Sequence, residues 1–98
     1  MRKSLNQISR ELKLKLPYLQ LNYNVEKLEV FGSYARFEND SSSDLDLLVS
    51  FIKPPSLLKF IQLENYLTEY LEIKVDLVMK KALKKNMSKR ILREAKIL

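Results

Sequence analysis

The chain has no cysteine and no histidine. Without cysteine there are no disulfides, no thiol nucleophile and no Cys-ligated zinc or iron–sulfur centre. Without histidine the commonest general base and transition-metal ligand is missing. Chemistry is left to carboxylates, hydroxyls, lysine, arginine and the backbone. The metals that suit those groups are hard, oxygen-liking cations such as Mg²⁺. No apolar run approaches the ~18 residues of a membrane span. The opening MRKSLNQISRELK has no apolar stretch of the kind a secretory signal needs, so the expected compartment is the cytoplasm. Glycine is scarce too: Gly32 stands alone, where average usage of about 7% would give about seven.

What is present suffices for a core. Ninety-eight residues with 46% hydrophobic content fit a single domain over residues 1–98. A domain of this size buries somewhat over ~60% of its unfolded surface. The formal charge of +6 is unevenly spread. Residues 80–98 hold eight bases against one acid, Glu94, whereas residues 1–79 hold 10 bases and 11 acids. A basic tail on a near-neutral body favours contact with something anionic: nucleotide phosphates, nucleic acid or an acidic protein face. On charge alone, a solvated helix face is the favoured explanation.

Apolar residues Leu5, Ile8, Leu12 and Leu16 recur at helical spacing, and Pro17 is expected to end or kink that helix, with a short further turn over 18–23. Residues 25–31 alternate as a strand. Gly32-Ser33 follows, then a helix-compatible stretch, Tyr34 to Glu38, and a serine-rich loop. Asp44 to Phe51 reads as a second strand, with its acids on one face. Ser56 is a plausible N-cap for an amphipathic helix over 57–73, and Tyr66 and Tyr70 on it face either the core or a partner. Lys74 to Met79 is a third strand. Residues 82–98 are expected to form a helical hairpin or a broken helix, with Ile91, Leu92, Ala95 and Leu98 inward. The order α, β, α, β, α, β, α predicts an α/β domain: a mixed sheet of three strands, or four, with helices packed on it.

Three features carry chemistry. Gly32 falls between a strand and an expected helix, where the backbone turns tightly and no Cβ blocks a ligand. Ser33 would then sit at a helix N-terminus, where free N–H groups favour an anion. Asp44 and Asp46, two apart on a strand, point to one face and repel each other unless a cation lies between them. Such a pair can hold two Mg²⁺ ions in a phosphoryl-transfer site. Asp76 is an acid inside an otherwise apolar strand. Placed beside the Asp44–Asp46 strand, it would complete a metal cluster or accept a proton from an incoming hydroxyl. Each feature alone has a bland explanation: a simple turn, a solvated strand end, an edge ion pair. Together they make a nucleotidyl-transfer constellation.

Gly32-Ser33-Tyr34-Ala35-Arg36 followed by Ser43-Asp44-Leu45-Asp46-Leu47-Leu48-Val49 resembles the signature of the DNA polymerase β-like nucleotidyltransferases. It is most similar to their smallest branch, the minimal nucleotidyltransferase (MNT) proteins. The likeness continues through Lys74–Val78 and Arg90–Ala95 and so covers nearly the whole chain. The resemblance implies that Gly32 and Ser33 bind the triphosphate of the incoming nucleotide. It implies that Asp44 and Asp46 ligate Mg²⁺, two ions in all, and that Asp76 is the third catalytic and metal-binding carboxylate. Arg36 matches the motif arginine, as a phosphate contact or a brace for the loop. One position departs: the motif usually has glycine after that arginine, and here it is Phe37. A glycine there often takes the left-handed conformation, which a bulky residue resists by roughly 1–2 kcal/mol.

The resemblance also implies a partner. Stand-alone MNT proteins of this size are similar to antitoxins paired with a HEPN-domain ribonuclease toxin. Their mechanism is transfer of AMP from ATP, the co-substrate, to a tyrosine hydroxyl of the toxin, in a heteromeric complex. Two other readings stand beside this one: an MNT-fold antitoxin that works by binding alone, and a nucleic-acid-binding module built on the basic tail. Direct nucleic-acid binding is not the expectation, since residues 80–98 contain no aromatics for base stacking.

Overall fold

The computed structural model describes residues 3–40, 42–83 and 85–97, with the backbone alone at 85–88. Helix α1 (Leu5–Tyr23) is capped by Ser4, whose hydroxyl accepts from the Gln7 N–H. It runs straight through Pro17 rather than stopping there. A proline inside a helix frees the carbonyl four residues back. Here that residue is Lys13, which is exposed, so water can satisfy the carbonyl. Asn24 ends the helix in the left-handed conformation.

Strands β1 (Val25–Phe31), β2 (Leu45–Phe51), β3 (Val75–Met79) and β4 (Lys96–Ile97) form one sheet in the order β3-β2-β1-β4. The β1–β2 and β1–β4 pairs are antiparallel and β2–β3 is parallel, so the sheet is mixed. Helix α2 (Leu57–Leu71) makes the crossover from β2 to β3. Its N-cap is Ser56, as expected, and it ends two residues sooner than its pattern suggested, at a left-handed Glu72. After β3 come a 3₁₀ turn (Lys80–Ala82) and α3 (Lys85–Glu94), then β4. The tail is therefore one helix and a short strand. Ile91 is buried as expected, but Leu92 is 44% exposed, and Leu98 lies outside the described residues.

Register sorts the side chains. Val30 pairs with Leu47 and Leu47 with Leu77, a row of apolar residues on one face. α1 and α2 cover that face with Ile8, Leu12, Leu19, Leu63, Leu67 and Leu71, all at most 1% exposed. Tyr66 and Tyr70 fill the seam between the two helices. Tyr66 stacks on Tyr18 at 5.1 Å, and the Tyr70 hydroxyl donates to the Glu11 carbonyl at 3.1 Å. One residue along, the adjacent row faces the other way: Phe31, Asp46 and Asp76. Among the described residues, no helix is long and apolar enough to cross a membrane.

Candidate active site

The row Phe31–Asp46–Asp76 lies at one end of the sheet, where β1 finishes and β2 and β3 begin or nearly begin. Parallel pairing of β2 with β3 sets Asp46 directly across from Asp76. Asp44 precedes β2 by one residue and is exposed. The three acids meet electrostatically on Asp46. Burial, then the charges of Asp76 and Asp44, push its carboxyl from 3.8 up to about 6, against a smaller opposing pull from Arg36.

Gly32 turns the chain out of β1 with φ +73. A Cβ at this position would run into the Asp46 carboxylate. What the missing side chain leaves room for is therefore first of all a carboxylate, and only beyond it a ligand. Residues 32–37 form hydrogen-bonded turns, not the expected helix: Arg36 N–H donates to the Gly32 carbonyl and Glu38 N–H to the Ser33 carbonyl, at 3.1 and 2.8 Å. Ser33 thus gains no helix N-terminus. The helix fails to propagate because Phe37 sits at φ +57, the left-handed conformation inferred for this position from the motif.

Arg36 is engaged on both sides. Its Nε donates to Glu38 at 3.0 Å and its Nη1 to Glu94 on α3 at 3.1 Å. These contacts favour the brace over the phosphate contact for this arginine. Phe37 is 71% exposed, and the Lys96 ammonium lies 4.1 Å from its ring centroid. Arg36 and Phe37 together tie the turn to the C-terminal segment.

A cleft of about 420 Å³ opens here, lined by Phe31, Gly32, Ser33, Arg36, Asp44 and Asp46 from the sheet side and by Arg90, Ile91 and Glu94 from α3. None of the three α3 residues was read as a site residue from sequence, although Ile91 was expected to face inward and the family likeness ran through Arg90–Ala95. One signal was available: Glu94 is the sole acid in a strongly basic tail. A second cleft, about 370 Å³, lies at the opposite end of the sheet, but Glu26 is the one acid in its lining. Chemistry, not size, distinguishes the two. As the side chains stand, no three acids among the described residues converge tightly enough to hold a metal ion. The donor set is nonetheless suited to one: hard oxygen ligands, like-charged, crowded enough to push the Asp46 carboxyl up to about 6, a repulsion that a divalent cation would relieve.

The model of the family described as polymerase beta, nucleotidyltransferase matches residues 13–98. The chain is 51% identical over 76 residues to the protein adenylyltransferase MntA of Thermococcus cleftensis, covering 78% of this chain and 77% of that protein. A solved structure assigned as a minimal nucleotidyltransferase superposes with a TM-score of 0.81 at 33% identity, over 98% of this chain and 97% of that one. A Shewanella oneidensis complex of a tri-AMPylated HEPN toxin with an MNT antitoxin shares the fold, with a TM-score of 0.67 at 19% identity over 92% of this chain and 70% of that one. The glycine-serine turn, the acidic row and this coverage carry one conclusion: the chain belongs to the polymerase β nucleotidyltransferase family.

Proposed function

We propose that residues 1–98 form one minimal nucleotidyltransferase domain that transfers AMP from ATP to a tyrosine hydroxyl of a HEPN-domain toxin, and so acts as its antitoxin. The observation that carries this reading is the pairing of Asp46 with Asp76 across β2 and β3, beside the Gly32-Ser33 turn. The relative named as a protein adenylyltransferase and the complex with an AMPylated HEPN toxin support it.

In this reading Asp44, Asp46 and Asp76 would hold Mg²⁺, which when bound neutralises charge on the attacked phosphate and the leaving group. The Ser33 hydroxyl and the turn amides orient the polyphosphate. The tyrosine oxygen forms a bond to the α-phosphorus while the bond from that phosphorus to the bridging oxygen breaks, and pyrophosphate leaves. The hydroxyl proton passes to a carboxylate, and the exposure of Asp76 supports it as the acceptor. With no histidine in the chain, a carboxylate is the base this fold has to offer.

The test is transfer of label from α-³²P-ATP and Mg²⁺ to the partner toxin, read on wild type and on Asp44→Asn with Asp46→Asn. Transfer by wild type, lost in the double variant together with protection of cells, is the expected result. A double variant that protects as well as wild type would replace catalysis with occlusion.

A further inference from the structure

The cleft at the acidic row is asymmetric in charge. Its lining brings three carboxylates, Asp44, Asp46 and Glu94, and two cations, Arg36 and Arg90. A nucleoside triphosphate adds several negative charges to that end of the sheet, so the cations that remain available decide how well it is held. Arg36 is already committed to Glu38 and Glu94 at 3.0 and 3.1 Å. Arg90 is not. Its side chain is 82% exposed, and its ion pair to Glu94 stretches to 4.0 Å. Glu94, 22% exposed, stands between the two arginines and takes the shorter contact from Arg36.

From this we infer that Arg90 is a polyphosphate-binding residue of the cleft, and that Glu94 is the positioning residue that keeps Arg36 on the turn and leaves Arg90 for the nucleotide. The inference rests on the nucleotide-binding reading of the site and adds to it a wall the acidic row does not supply, the helix α3. Arg90 lies on that helix directly before Ile91, whose buried side chain seats α3 against the body. The guanidinium is therefore anchored by a packed helix and not by a mobile loop. Arg90 is long enough, and its fork geometry suited, to grip two phosphate oxygens at once.

The experiment is binding of a non-hydrolysable ATP analogue with Mg²⁺, by calorimetry, to four proteins: wild type, Arg90→Ala, Arg90→Lys and Lys89→Ala. Lys89 is exposed on the same helix but does not line the cleft, so its variant removes the same charge from the same region. Loss of a charge-assisted contact is expected to weaken binding about 10- to 100-fold in Arg90→Ala, with partial recovery in Arg90→Lys. Lys89→Ala should stay within about twofold of wild type, as for an exposed charge. Equal losses in Arg90→Ala and Lys89→Ala would overturn the inference in favour of a diffuse field, and wild-type affinity in Arg90→Ala would overturn it outright. Failure of wild type to bind the analogue would instead strike the nucleotide-binding reading itself. For Glu94, the readout is Glu94→Gln: the released Arg36 becomes a second cation for the phosphates, so analogue binding tightens and Arg90→Ala costs less in that background, and Arg36→Gln in the same chain removes the gain. Unchanged binding in Glu94→Gln removes its positioning role.

Discussion

Gly32 and Asp46 constrain each other. Gly32 sits at a positive φ with Asp46 where its Cβ would be. Gly32→Ala therefore meets two penalties, the left-handed backbone at roughly 1–2 kcal/mol and a steric clash with a half-buried carboxylate. The expected outcome is a loss of at least ~1–2 kcal/mol in urea unfolding, and loss of transfer because Asp46 is displaced. Asp46 itself works against stability while no cation is bound. Its carboxyl is pushed up to about 6 from 3.8. The folded state thus binds the proton more tightly than the unfolded chain does. The stabilising contribution is complete below about pH 4 and is lost as the pH rises through about 6. Asp46→Asn abolishes the charge. In EDTA the variant should melt close to wild type at pH 4 and higher than wild type at pH 7.5, and added Mg²⁺ should narrow the gap. An equal melting temperature at pH 7.5 would mean that the acids do not crowd one another.

At the scale of elements, the sheet edges show what was legible and what was not. β3 is an edge strand, and its outward amides are covered: Thr68 Oγ1 accepts from Val75 N–H at 3.0 Å and Glu64 accepts from Leu77 N–H at 2.9 Å, both from α2. Removing Glu64 by Glu64→Ala should cost about 1–3 kcal/mol, for an amide left without a partner, and open an edge for pairing. Chemical denaturation and light scattering at raised concentration check the two effects. None of this is visible in the pattern of α2, since Glu64 and Thr68 read there as ordinary polar positions. The long elements were legible because each buries a stripe or face whose period survives in sequence: α1, α2, β1, and β2 and β3, which carry the Asp46–Asp76 row. β4 was not, because two residues carry no period. The turn after Gly32 was misread as a helix because Tyr34 to Glu38 has helical composition, and a single left-handed residue, Phe37, decides otherwise. A brace was one of the two roles read for Arg36, but its partner was invisible for a different reason: Glu94 lies 58 positions away.

The whole molecule explains where the basic tail goes. Read as a string, residues 80–98 look like a free cationic segment. In the fold α3 lies on the face of the sheet opposite α1 and α2, and part of the charge of the described residues is spent internally. Lys80 donates to Glu29 at 2.8 Å, and this contact with the neighbouring charge raises its ammonium above the usual lysine range. Glu29 is only 6% exposed, on β1, so the pair reaches from the 3₁₀ turn after β3 across to β1 and pins the start of the tail. A buried carboxylate that loses its partner is costly, whereas replacing both partners by apolar groups is often neutral. Lys80 keeps about a third of its side chain exposed, 31%, so solvent screens the pair and the cost falls below that of a fully buried one. Lys80→Met alone should therefore destabilise by about 1–3 kcal/mol, because Glu29 is left with the more distant Lys27 at 3.7 Å. Lys80→Met with Glu29→Leu should recover most of that loss. The check is a double-mutant cycle in urea, with the analogue-binding constant measured on the same four proteins. If the pair anchors the tail, the single variant loosens α3 and weakens nucleotide binding, and the double variant restores both. Recovered stability without recovered binding would show instead that the charge of Lys80, not the seating of α3, is what the nucleotide feels.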